Sequence, residues 1–282
     1  MTRRIWFRAA ALALAFAAVI AGLAVYFSSA SVPPCLVSGT PTWQPPTDGA
    51  THSFAVVFAD RAACFFAIDE QHSLVGQLHL PDAHDVTAAA PNGDRVALRT
   101  ASGPYTLDLA TGKLTKGGLV PFDTGTLTVT DPERQTMYVT QPGLLGFRVI
   151  DLRTGVTRQV VHFKGFTWNP RFGPDPPSHG LVLRPDRPEL WVLDAPNHAL
   201  HVFDVSEAPQ PIADVRLERT FTTPGSLTQS ADGRYLYVGG TGDVIDTQKR
   251  ESIANLDALQ QATAVLQVDW VDGRPVFPGF PR

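Results

Sequence analysis

Five stretches of this chain close on the same short phrase, an apolar run ending in aspartate. The spacing of those closings constrains the fold more than any other feature. They fall at Asp69, Asp108, Asp151, Asp204 and Asp246, separated by 39, 43, 53 and 42 residues. The clearest copy pairs a turn and strand, Ser230-Ala231-Asp232-Gly233-Arg234-Tyr235-Leu236-Tyr237-Val238, with a second run, Asp243-Val244-Ile245-Asp246-Thr247. Earlier copies run from Asp131-Pro132-Glu133 to Ile150-Asp151, and from Arg184-Pro185-Asp186 to Phe203-Asp204. A weaker one leads from Pro91-Asn92-Gly93 to Leu107-Asp108, and a degenerate first copy ends at Phe65-Phe66-Ala67-Ile68-Asp69. Several short strands per unit at a period near 40–45 residues is the pattern of propeller blades. A stack of helical repeats needs apolar residues at a 3.6 period, whereas these runs are short Val, Ile, Tyr and Phe stretches broken by turns. The expectation is an all-β chain, a β-propeller of four-stranded blades, with 24 prolines and 23 glycines supplying the turns.

A propeller avoids a free seam when strands from both chain ends share one blade. Val265–Trp270, a turn at Val271-Asp272-Gly273, and Arg274–Phe277 read as strand, turn, strand. The first of these strands is expected to complete the blade begun by Phe54–Phe58, Cys64–Ile68 and Leu74–Leu80. That arrangement gives five blades. About 247 residues beyond the N-terminal apolar segment, at about 42 per unit, leave room for nearly six.

The run Asp232-Gly233-Arg234-Tyr235-Leu236-Tyr237-Val238 through Val244-Ile245-Asp246-Thr247 resembles the YVTN repeat of bacterial surface-layer and YncE-like β-propellers. The resemblance covers roughly residues 50–275 and is most specific in the last two repeats. It implies about seven blades, so the expected number spans five to seven. It also implies export, and it brings no defined activity. It implies a geometry as well: the Asp-Gly turns and closing aspartates share one face, while the starts of the inner strands and the links between second and third strands share the other.

The N-terminus is read as a targeting segment. Arg3, Arg4 and Arg8 precede an uninterrupted apolar run, Ala9–Phe27, of 19 residues. As a helix it would extend roughly 28 Å, close to the ~30 Å hydrocarbon core. With the basic residues ahead of it, the rest of the chain is expected to cross. Two readings stand: an uncleaved signal anchor, or a signal peptide with Ser28 and Ala30 as its small residues. Both export the domain, to the membrane facing the periplasm or cell exterior in one case and as a secreted protein in the other. The division is then 1–30 as one N-terminal hydrophobic helix, 31–50 as linker and 51–282 as propeller. The net charge of −4 becomes −7 beyond residue 30, with no basic cluster, so nucleic acid is not an expected partner. An oxidising compartment permits the two cysteines, Cys35 and Cys64, to pair. The alternative is a buried Cys64 thiol.

On the face of inner-strand starts the geometry gathers His84, Asp85 and His179. The 53-residue interval carries its excess in Gly165–Pro177, which brings Trp168 and Phe172. Asn197 and His198 lie in the link after Leu193-Asp194. Aromatic residues on a long loop above a rigid scaffold suit ligand binding. No catalytic residue, metal ligand set or cofactor is assigned, because no nucleophile elbow, zinc motif or phosphate loop occurs. The leading expectation is an exported, non-catalytic propeller that binds a protein, glycan or small ligand at the channel mouth. A metal-dependent, lactonase-like hydrolase and a structural cell-envelope protein are the alternatives.

Overall fold

A computed structural model describes residues 37–59, 64–83, 86–118, 128–171, 176–221 and 225–277. The signal segment and the expected N-terminal helix lie outside them. Residues 35–282 form one compact unit, built among the described residues from five antiparallel sheets. Blade 2 holds β4 (Val86–Asn92), β5 (Arg95–Thr100), β6 (Gly103–Asp108) and β7 (Lys113–Lys116). Blade 3 holds β8 (Thr128–Asp131), β9 (Thr136–Val139), β10 (Gly146–Asp151) and β11 (Thr157–His162). Blade 4 holds β12 (Ser178–Leu183), β13 (Glu189–Asp194), β14 (Ala199–Asp204) and β15 (Gln210–Arg216). Blade 5 holds β16 (Ser226–Gln229), β17 (Tyr235–Gly239), β18 (Asp243–Asp246) and β19 (Glu251–Asn255). Before the last strands comes a single turn of helix, α1 (Asp257–Gln260).

Blade 1 is shared by the two ends of the chain. β20 (Ala262–Val271) pairs with β1 (His52–Ala59), followed by β2 (Cys64–Ile68) and β3 (Leu74–His79), while β21 (Arg274–Val276) adds to β20. The closure expected from Val265–Trp270 is therefore observed, with Val57 opposite Val265 and His52 opposite Trp270. The inner strands of the blades adjoin in succession: β8 beside β12, β12 beside β16, β16 beside β20, and β20 beside β4. Five antiparallel sheets in such a succession, one of them shared by both chain ends, have the arrangement of a β-propeller.

Burial follows from stacking the blades face to face. Middle strands are covered on both faces and read as continuous apolar runs, as in Cys-Phe-Phe-Ala-Ile of β2 and Glu-Leu-Trp-Val-Leu-Asp of β13, in which every residue is buried. Outer strands β7, β11 and β15 are largely exposed and correspondingly polar. The repeated aspartates have a local task. Asp69 Oδ1 accepts the amides of Gln71 and Ser73, Asp108 Oδ1 those of Ala110 and Thr111, and Asp246 Oδ1 those of Gln248 and Lys249, at 2.8–3.1 Å. Each closes the turn after the third strand as an Asx turn does, which is why the phrase repeats.

Part of the stretch read as a linker is built into blade 1. Residues 37–43 lie along the free edge of β3, with Thr42 bridged in parallel to Gln77. The Gln77 amide donates to Pro41 O at 3.0 Å, and the Trp43 amide donates to Gln77 O at 2.8 Å. The Trp43 indole enters the core, 5.3 Å from Phe54, 5.9 Å from Phe65 and 6.1 Å from Trp270 between ring centroids. Its N–H donates to Leu109 O of blade 2 at 2.9 Å. Gly76 is the residue that lets it in, because a Cβ there would stand 2.8 Å from the indole.

Candidate functional site

Only some of the residues expected to form a site fall within the described residues. His84, Asp85, Phe172 and Cys35 lie outside the described residues. His179 sits near the start of β12, half-buried, beside an irregularity in the pairing with β13. Asn197 is occupied structurally: its amide and side-chain N–H groups donate to the Asp194 carboxylate at 2.9–3.1 Å. His198, in the left-handed region at φ 52°, stacks on Phe221 at 6.1 Å. Trp168 is half-buried, and its indole nitrogen is buried without a hydrogen-bond partner. Cys64 opens β2, is buried and is not a free thiol. Among the described residues, no group of three or more His, Cys, Asp or Glu side chains is arranged so that it could hold a metal ion.

A more developed feature lies towards the rim, between blades 3 and 4. Asp194 ends β13 at 0% exposure, and its Oδ2 lies 3.0 Å from His201 Nε2. His201, on β14 at 2% exposure, places Nδ1 2.6 Å from Asp214 Oδ1. The pairing of β14 with β15 sets His201 directly opposite Asp214, so the register itself builds this contact. The imidazole is covered by Phe163, 4.0 Å away, and Phe166, 4.5 Å away and edge-on. Phe166 belongs to the long segment before β12, so that segment does reach a site, although through a different aromatic residue from the two expected.

The proton inventory of this trio limits its chemistry. A neutral imidazole has one N–H and one acceptor nitrogen, while each ionised carboxylate can only accept. Both short contacts are satisfied by an imidazolium between two carboxylates, or by a neutral ring with one protonated carboxyl. In either case the trio carries a net charge of −1. Both ring nitrogens are engaged, so His201 has none to offer a substrate as general base. Its effect is to tie β13, β14 and β15 together under an aromatic cover.

Beside the trio runs a groove of about 530 Å³, walled by Val161, Phe163, Phe166, Phe203, Pro211 and Asp214. A second section of about 440 Å³ continues from it along β11, sharing Gln159 and Pro209 and ending at Tyr138 and Arg158. At that end Arg158 is bonded to Asp151, and this holds the Asp151 carboxyl down at about 2; the amides of Arg153 and Thr154 add to the effect. Burial raises the Tyr138 phenol to about 12. The groove thus runs from an aromatic end, where Asp214 and Lys164 both contribute, to one lined by Tyr138 and the ion-paired Arg158, along a strand whose outer edge has no neighbour within its sheet among the described residues.

Neither His201 nor Asp214 is singled out as a site residue by the sequence alone. A histidine inside the apolar strand Ala-Leu-His-Val-Phe-Asp of β14 was the available signal. Its meaning depended on the β14–β15 register.

No family model and no curated protein matches this chain. Solved structures do match, at low similarity. One is the β-propeller domain of Cps50 (Swd1) from Myceliophteria thermophila, at 16% identity and TM-score 0.39, covering 66% of this chain and 64% of that one. Another is the dihydro-heme d1 dehydrogenase NirN in complex with DHE, at 14% identity and TM-score 0.37, covering 85% of this chain and 53% of that one. A protein of unknown function from Bacteroides caccae matches at 9% identity and TM-score 0.47, over 77% of this chain and 99% of its own length. This chain therefore spans less than two thirds of the first two.

Proposed function

We propose that this chain is an exported, non-catalytic β-propeller of the YVTN-repeat, YncE-like type, and that it binds its protein, glycan or small-molecule ligand in the groove between β11 and β14–β15. The observation that carries the reading is the aromatic wall of Phe163 and Phe166, fixed over a buried histidine with no free nitrogen. Rigid aromatic surface beside an exposed carboxylate favours binding, and a site organised by an already saturated imidazole does not favour proton transfer. Residues 1–30 would hold the propeller at the membrane on its exported side, and Cys35 would pair with Cys64 there. The repeat phrases and the basic-then-apolar N-terminus support these parts of the reading.

The test compares the full chain, in mild detergent, with its Phe166→Ala and Asp214→Ala variants on glycan and peptide arrays and a small-molecule thermal-shift panel. Ligands retained by the wild type should be lost or weakened about tenfold or more in Phe166→Ala. Retention of every ligand by both variants would place binding elsewhere. Protease treatment of intact cells checks export separately, since an exported propeller is cleaved or shed from outside.

A further inference from the structure

We infer that the free edge of β11 takes up an extended peptide as a fifth strand, with a large apolar side chain of that peptide seated against Phe163, Phe166 and Phe203. This rests on the reading of the groove as the binding site, and it names the class of ligand.

The molecule contains its own precedent. β3 and β11 are the outermost strands of their blades. On β3 the edge is covered by residues 37–43 of the same chain, which bond to the backbone of Gln77 and insert Trp43 between blades 1 and 2. Aligning the closing aspartates, Asp69 with Asp151, places Phe66 opposite Gln77 in blade 1 and Arg148 opposite Val160 in blade 3. Val160 is therefore the counterpart of Gln77, the residue that receives the added strand.

Their backbones are poised alike. Phe163 donates its amide to Leu145 O on the β10 side. The alternation of an antiparallel ladder then gives Val161 and Gln159 to β10 and turns the N–H and C=O of Val160 outward. Gln77 spends its outward pair on Pro41 and Trp43. The difference lies in what covers the edge: Gln77 is 7% exposed, whereas Val160 is 43% exposed. The third-strand Asp108 precedes Leu109, whose carbonyl accepts the Trp43 indole, and Asp204 likewise precedes Val205, which lines the β11 groove. The facing wall is thus in place as well.

One substitution shifts the anchor. Gly76 leaves room for Trp43 over β3, and its counterpart on β11 is Gln159, opposite Val149 as Gly76 is opposite Ala67. A side chain inserted there meets the Gln159 amide. The open apolar well lies farther along, where Val161, Phe163, Phe166 and Phe203 converge. An added strand places alternate side chains on one face, so one large apolar residue enters this well while backbone bonds form at Val160.

The full chain, immobilised in mild detergent, is panned with a phage-displayed random nonapeptide library. The recovered peptide is labelled and titrated by fluorescence anisotropy. Replacing its large apolar residue by serine should weaken binding at least about tenfold, as should Val160→Pro, which removes only an outward donor and no bond to β10. Val160→Ala keeps that donor and should stay within about threefold of the wild type. N-methylation at alternate peptide residues should abolish binding, and methylation at the intervening ones should be tolerated. Equal tolerance of methylation throughout, or equal binding by Val160→Pro, would overturn strand addition. Failure to recover any peptide, while a glycan or small molecule still depends on Phe166, would overturn it and leave the groove as the binding site. If no ligand of any class depends on the groove, both readings fall.

Discussion

Trp43→Ala offers the sharpest test of how far the propeller extends towards the N-terminus. Trp43 is buried at 8% exposure among Phe54, Phe65 and Trp270. Truncating a buried tryptophan costs about 3–5 kcal/mol from lost transfer and the remaining cavity. The variant also strands Leu109 O, whose bond from the indole is buried, which puts the expectation near 4–5 kcal/mol. Total stabilities run about 5–15 kcal/mol, so the variant still folds but with a large part of its margin gone. In urea unfolding followed by circular dichroism, a slope near 3 kcal/mol per M turns this into a midpoint lower by about 1.3–1.7 M. Gly76→Ala supplies the coupled control, since its added methyl meets the indole at 2.8 Å and should cost about 1–3 kcal/mol through overpacking. In the Trp43→Ala background the 2.8 Å contact with the indole is gone, while the 3.1 Å approach to the Cα of residue 43 remains, so part of that cost should vanish, giving a coupling of about 1 kcal/mol. A midpoint shift below about 0.4 M with unchanged slope, or additive effects of the two substitutions, would refute the placement of residues 37–43 in blade 1 and the precedent drawn from it.

Replacing His201 by Phe keeps ring contact with Phe163 and Phe166 but withdraws a partner from the buried Asp194, so it should destabilise by about 2–4 kcal/mol. Asp214→Asn should cost under about 1 kcal/mol, because that side chain is 55% exposed; equal melting temperatures for the two variants would contradict the trio's asymmetry. Asp151 sits at about 2, below its ordinary 3.8, chiefly because Arg158 is bonded to it. A depressed folded-state value contributes stability above the unfolded pKa, so the advantage of the wild type over Asp151→Asn should hold above about pH 4 and fade towards pH 2. A constant difference across that range would exclude the Arg158 contact as its source. At the alkaline end, burial raises the Tyr138 and Tyr237 phenols, so folding holds their protons and loses stability as the pH climbs past 10. Absorbance at 295 nm should show both tyrosines still neutral at pH 11 and ionising on unfolding, and full ionisation in the native state would refute this.

The architecture was legible because its repeating element is local. Each closing aspartate caps a turn with amides two to four residues ahead, so the same chemistry recurs once per blade and survives divergence elsewhere. The shared blade was legible for a related reason. Val265–Trp270 is a long strand followed by a tight turn, and a ring of sheets leaves such a strand only the seam to fill. Residues 37–43 escaped notice because Pro41, Pro45 and Pro46 punctuate the stretch as a linker would, while its single bridge to β3 has no alternating pattern to announce it.

The groove was not legible, for a physical reason. Reading by faces favours residues at the ends of inner strands, where sequence position alone predicts proximity to the channel. Asn197 and His198 lie in the link between β13 and β14, where one donates to Asp194 and the other stacks on Phe221. The assembly of Phe163, Phe166, His201 and Asp214 instead depends on two registers and on how blade 3 leans against blade 4, which are relations between residues up to about fifty positions apart. Each member taken singly has an ordinary explanation in sequence: an aromatic loop residue, a strand histidine, an exposed acid. The same is true of Val160, an exposed valine on an outer strand that becomes meaningful only once its counterpart Gln77 is seen carrying an added strand. In this fold the inner ends of the strands are set by the repeat and recur from blade to blade. Among the described residues the outer edges differ between blades: that of β3 carries residues 37–43, while that of β11 carries no added strand.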